Sequence, residues 1–170
     1  MFEKFGEFDS AEELNRAAKA QLEEGDLEAL YALAMENGID REDAEDYAAG
    51  AADELATPLM AAVGKLKVEK EEYKLKEILA DWADEIAAMC GEDPDMCRAV
   101  RRKGRGLDGY IALLAEKGYQ NRVTVDRRIV ERTGQIRQIM GTHEFCIGVP
   151  DQRSRREEAR RYYLGEEESR

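Results

Sequence analysis

Apolar residues recur at helical spacing along most of the chain. Leu14, Ala17, Ala18 and Leu22 fall on one face. Ser10 and Glu13 precede them at capping-box spacing: a hydroxyl takes an orphan amide and a carboxylate reaches back. Phe5 and Phe8 are placed to cover that end. Gly25 stops the helix, and Asp26 caps the next, where Leu27, Leu30, Tyr31 and Ala34 form the apolar stripe. Gly38 suits a left-handed terminator. Asp40 is expected to cap a third, strongly acidic helix from Arg41 to Ala49, ended by Gly50. Thr57 and Pro58 open a fourth, with Leu59, Met60 and Val63 on its apolar side.

The period then changes. Over Lys65 to Lys70, Leu66 and Val68 alternate with charged neighbours, which predicts a short strand or extended connector. The strongest helical pattern follows, Glu71 to Met89, with Leu75, Ile78, Leu79, Trp82, Ile86 and Met89 on one side. Trp82, the single tryptophan, is expected in the core. Asp93-Pro94 breaks the chain before a short helix carrying Met96, Cys97 and Val100. Leu107, Tyr110, Ile111 and Leu114 mark another, closed by Gly118. Arg122 to Val125 alternates as a short strand or as the lead-in to a helix capped by Asp126, which would carry Arg127, Arg128 and Arg132 and bury Ile129 and Val130. Gly134 to Thr142 has mixed signals and no element is assigned there. Phe145, Cys146, Ile147 and Val149 form a β-prone run ended by Pro150. Ser154 and Glu157 read as the capping pair of a last helix anchored by Ala159, Tyr162, Tyr163 and Leu164, with Gly165 as its stop. The pattern predicts a mainly α protein: a compact multi-helix domain or two small helical lobes, with at most one or two short β-strands in the C-terminal half. Residues 1–68 form the acidic N-terminal region, 69–165 a C-terminal region with a basic surface, and 166–170 a polar tail expected to fray.

Charge changes this picture more than length does. The 170 residues suffice for a real core. Charged residues make up 38%, well above the usual quarter, which suits long solvated helix faces. The net charge of −12 is unevenly spread: residues 1–100 hold 10 Lys/Arg against 27 Asp/Glu, and residues 101–170 hold 16 against 11. An acidic half attracts basic surfaces and repels nucleic acid; a basic half does the reverse. Three cysteines, Cys90, Cys97 and Cys146, are a poor disulfide framework. The opening MFEKFGEF is acidic and has no apolar run, so no signal peptide is expected. No stretch approaches the ~20 apolar residues of a membrane span. A cytoplasmic protein without membrane contact, its thiols serving as small core hydrophobes, is the expectation.

The residues offer little for catalysis. His143 is the only histidine and no nucleophile–base arrangement can be built around it from sequence. His143 and Cys146 could make one zinc-ligand pair, but Cys90 and Cys97 are too far apart to be the second. The cluster Asp40, Glu42, Asp43, Glu45 and Asp46 lacks the central glycine and final glutamate of a calcium loop. Lys103-Gly104-Arg105-Gly106 lacks the spacing of a phosphate loop. No cofactor or metal is expected, and binding is a better expectation than catalysis. Two surfaces are candidates. The acidic cluster would suit a basic groove on a protein partner, such as a nuclease or nuclease–RNA complex. The basic run Arg101, Arg102, Lys103 and Arg105, with Arg156 and Arg160 one helical turn apart, would suit phosphate or carboxylate, nucleic acid included.

The run from Cys97 through Val100, Arg101, Arg102, Lys103, Gly104, Arg105, Gly106 and Leu107 to Tyr110 and Ile111 resembles the basic Lys-Gly-Lys turn of PcfK-like proteins. The β-prone run Cys146-Ile147-Gly148-Val149, and a last helix ending Ala159-Arg160-Arg161-Tyr162-Tyr163-Leu164, are similar in kind to that family's closing elements. The resemblance covers only the C-terminal half; the opening FGEFDSAEELN and the acidic helices lie outside it, and Gln135 to Glu144 is an insert. It implies an accessory or counter-defence protein of a mobile genetic element, some relatives inhibiting the type II CRISPR effector nuclease (anti-CRISPR), with no catalytic residues. A DNA-binding or conjugative-transfer accessory protein and an uncharacterised helical interaction domain are the alternative readings.

Overall fold

The computed structural model describes residues 1–165, folded into ten helices and one small antiparallel sheet. The tail, 166–170, lies outside the described residues. Helices α1 (Ala11–Glu24), α2 (Leu27–Glu36) and α3 (Arg41–Ala48) are followed by α4 (Pro58–Glu72), α5 (Ile78–Glu92), α6 (Pro94–Arg101) and α7 (Leu107–Gln120). An excursion then carries β1 (Val123–Thr124), α8 (Arg127–Val130), α9 (Gln135–Met140) and β2 (Cys146–Ile147), and α10 (Gln152–Leu164) closes the fold.

Local chemistry starts these helices. Glu13 N donates to Ser10 Oγ at 3.1 Å, and Glu13 Oε2 accepts from Asp9 N at 2.7 Å. Ala29 N donates to Asp26 Oδ1, and Met60 N to Thr57 Oγ1 just ahead of Pro58. Each bond satisfies an amide that the helix itself leaves open. Two caps differ from expectation. Asp40 precedes α3 but makes no capping bond; its carboxylate instead accepts from Lys67 Nζ at 2.8 Å. α10 is capped by Asp151, which accepts from Ser154 N at 2.8 Å, while Glu157 pairs with Arg153. Asp151–Ser154 has the same spacing as the expected Ser154–Glu157 pair, one turn earlier and directly after Pro150.

Two apolar clusters share α4. The first joins α1, α2, α3 and the stretch before α4, with Leu14, Leu30, Leu33, Tyr47 and Leu55 at its centre. The second packs α4 against α5, α6, α7 and α10 around Leu66, Trp82, Ile86, Met96, Tyr110 and Tyr163. On α4, Ala61 belongs to the first and Ala62 to the second. α2 reaches α4 through glycine: a Cβ on Gly38, whose φ is +71°, would lie 2.2 Å from the carbonyl oxygen of Gly64.

The stretch Lys65 to Lys70 is helix, not strand. It lies within α4, and the alternation misleads because Lys65 and Glu69 are themselves buried, at 0% and 3% exposure. A helix packed on two sides, with charge inside, hides its period. The long helix expected from Glu71 is also shorter: the chain turns after Glu72, with Lys74 and Glu77 at φ of 52° and 51°, and restarts at Ile78. Trp82 is buried as expected.

The excursion between α7 and α10 is an arm. Its sheet pairs Val123 with Ile147 and Thr124 with Cys146. Val125 N donates to Phe145 O at 2.8 Å. Its base closes where Gly118 meets Gly148, since a Cβ on Gly148 would lie 1.7 Å from Gly118 O. α8 ends at Val130, so Arg132 is not part of it, and Ile129 is exposed rather than buried. The unassigned Gly134 to Thr142 contains α9, none of whose residues is buried.

Candidate functional site

The buried seam between the clusters holds the most unusual polar chemistry. Lys65 Nζ lies 2.6 Å from Glu7 Oε1 and donates to the carbonyls of Arg102 and Arg105. Glu69 Oε2 accepts from Leu107 N at 2.8 Å, and Lys65 Nζ lies 3.8 Å from its other oxygen. Burial holds the Glu69 carboxyl above its ordinary range, opposed by the Leu107 amide and Lys65. Arg101 was expected among exposed docking groups. It is instead 1% exposed, donating to Asn37 Oδ1 at 2.7 Å and to Ala61 O at 3.5 Å. Burial lowers its pKa to about 10. Its neighbours explain the difference: α6 ends against α2 and α4, so its last residue points inward while its sequence reads as part of a basic surface run.

The remaining basic candidates are mostly committed to the fold. Arg105 donates to the carbonyls of Tyr162 and Tyr163, satisfying the open end of α10. Lys103 N donates to Asp9 Oδ1, and Lys103 Nζ lies 3.8 Å from Glu13. Arg156 pairs with Glu92, and Arg160 with Asp93 at 3.0 Å. Arg155 bonds Glu85 at 2.7 Å, Arg161 and Lys117 both meet Glu158, and Arg153 meets Glu157. α10 therefore lies on α5 and α6 with its guanidinium groups facing carboxylates. Arg102 alone of the first basic run has an exposed side chain with no ion pair among the described residues.

The acidic candidates behave differently. Asp40 pairs with Lys67, and Glu45 with Arg41, whose guanidinium also stacks 4.8 Å from the Tyr31 ring. Glu42 and Asp46 are exposed and Asp43 half-buried, and none of the three makes an ion pair among the described residues. Ala44 and Tyr47 anchor α3 from its inner face, so Glu42 and Asp46 stand on the outer one and Asp43, one turn before Tyr47, lies at its edge.

Reaction chemistry finds no assembled centre among the described residues. Cys90 and Cys97 are buried, with the Cys97 thiol donating to Cys90 O at 2.9 Å; burial pushes the Cys90 thiol up to about 12, where it is not a nucleophile. Cys146 and His143 lie on the arm, in the β2 region. No group of three or more His, Cys, Asp or Glu side chains among the described residues could hold a metal ion. No described helix is long and apolar enough to cross a membrane. A cleft of roughly 240 Å³ beside the start of α1 is lined by Asp9, Glu12, Arg98 and Arg101 among others. Its charges are mixed, and two amides beside it are already taken, Glu13 N by Ser10 Oγ and Asp9 N by the Glu13 carboxylate. No family model, no curated protein and no solved structure matches the chain.

Proposed function

We propose that the protein works by stoichiometric binding, presenting the outer carboxylates of α3 to a basic surface on a partner protein. The observation that supports this is the contrast between its two kinds of charge. The arginines of α10 are neutralised by acids of the same molecule, whereas Glu42, Asp43 and Asp46 have no ion-pair partner among the described residues. Fixed carboxylates on a rigid helix steer a basic partner and lose little entropy on binding. The PcfK-like resemblance of residues 97–111 and 146–164 names one such partner: the nucleic-acid groove of a type II CRISPR effector nuclease, blocked by a counter-defence protein of a mobile element.

Titration of the protein into a guide-directed DNA-cleavage reaction tests this. Cleavage is expected to fall off at near-equimolar protein and to return in a Glu42→Gln, Asp43→Asn, Asp46→Asn variant. Unchanged cleavage at large excess rejects the nuclease as partner. The DNA-binding and conjugative-transfer reading has less support, because most of the arginines it would use already face carboxylates.

A further inference from the structure

Among the described residues two apolar surfaces stand uncovered, and they are complementary in charge. On α2, Leu27, Tyr31 and Met35 are spaced four apart and share one stripe. Leu27 is 42% exposed and Met35 59%. Glu28, exposed and without an ion pair among the described residues, stands beside the stripe. Arg41, stacked on Tyr31 and paired with Glu45, brings the first turn of α3 and Glu42 to its edge. The stripe is thus an apolar strip on the acidic lobe.

The arm presents the opposite combination. Ile129 on α8 is 59% exposed and Ile139 on α9 is 79% exposed. Arg132 lies between those helices and Arg137 on α9; both are exposed, and neither makes an ion pair among the described residues. Arg127 and Arg128 are paired with Glu131 and Asp126. α8 buries Val130 yet leaves Ile129 outside, and so much exposed aliphatic surface next to guanidinium groups without an ion pair among the described residues suits a protein face with acids at its rim better than a nucleic-acid backbone.

We infer that the arm of one molecule docks on the α2 stripe of a second copy of this chain, with Ile129 and Ile139 covering Leu27, Tyr31 and Met35, and Arg132 and Arg137 meeting the acidic rim. The contact joins different surfaces, and it closes as a two-fold dimer, not a chain of copies, because each molecule of the pair both gives an arm and offers a stripe. It shares Glu42 at its rim with the carboxylates of α3 but centres on the α2 stripe, and it is read on the isolated chain, whatever the nuclease assay gives.

Sedimentation velocity on the full chain tests the inference. The weight-average mass should climb from 19.3 kDa toward twice that value as concentration rises into the high micromolar range, and should fall back with added salt. Ile139→Asp and Met35→Asp, both at exposed positions that leave the helical circular dichroism intact, should each weaken association by at least about tenfold. An equimolar mixture of the two variants should recover part of the loss, because one arm and one stripe remain intact in each mixed pair. A mass that stays monomeric at every concentration overturns the inference. So does loss with Ile139→Asp but not with Met35→Asp, which would mean arm-to-arm contact, and so does a monomer whose arm instead retains duplex DNA with steep salt dependence.

Discussion

Arg101 Nη2 donates to Asn37 Oδ1 at 2.7 Å, tying the end of α6 to the residue that terminates α2. Both are buried, and no carboxylate among the described residues lies within ion-pair distance of the guanidinium. Asn37 also donates to Leu33 O, so its amide is fixed by the helix that it ends. Taking the acceptor away leaves a buried charge with the long contact to Ala61 O and the Phe2 ring 6.0 Å away. Asn37→Ala should therefore cost about 3 kcal/mol, at the low end of what an uncompensated buried charge costs. The urea midpoint measures it. The double change Asn37→Leu with Arg101→Met should cost less than Asn37→Ala alone, because no unpaired charge remains.

Glu69 makes stability depend on pH. Its folded pKa is raised from 4.5, first by burial, against the opposing Leu107 amide and Lys65, with Glu7 and Asp108 adding to the rise. Between the ordinary value and the folded one, the native state holds a proton that the unfolded state releases. Stability from this group is thus present at low pH and is lost as pH rises through the folded value. Glu69→Gln keeps an acceptor for Leu107 and removes the titration. Urea unfolding between about pH 4 and 8 should show wild type losing ground to the glutamine variant as pH rises, then running parallel to it. A difference that is flat, or that slopes the other way, rejects this account.

The base of the arm predicts a local effect. Gly148→Ala forces a Cβ into backbone that has no room to yield, at Gly118 O. The arm's own bonds, Val125 N to Phe145 O among them, depend on that closure. Hydrogen exchange should speed up at least about tenfold at Val125 and its neighbours, with amides in α1 to α6 unchanged, because the arm and the body can open separately.

What the sequence revealed and what it hid follow from the range of the interactions. The caps at Ser10, Asp26 and Thr57 were legible because each is settled within three residues. The burial of Trp82 was legible because α5 has one apolar side. α4 was misread at Lys65 and Glu69 because their partners, Arg102, Arg105 and Leu107, lie 37 to 40 positions away. Arg101 was misread for the same reason, 64 positions from Asn37. Among the site candidates, the exposure of Glu42, Glu45 and Asp46 was readable from the density of charge along α3, but the half-burial of Asp43 was not. The neutralisation of Arg156 and Arg160 was not, since Glu92 and Asp93 meet them only when α10 folds back on the α5–α6 corner.

That folding back fixes how the protein should treat DNA. A cation gains affinity for a phosphate backbone by releasing counterions, and an arginine already held by a carboxylate has fewer to release. Arg156 faces Glu92, and Arg153 faces Glu157, all on or near the surface. Wild type should therefore show only weak duplex binding at low salt. Glu92→Gln with Glu157→Gln frees both guanidinium groups while leaving the Asp93 and Asp151 caps in place. The double variant should bind duplex DNA more tightly and with a steeper salt dependence, by up to about 0.9 in log–log slope for each phosphate newly contacted. Fluorescence anisotropy over a salt series measures both quantities. If wild type already binds tightly with the full slope, the intramolecular pairs do not hold in solution, and the case for the acidic face as the working surface falls with them.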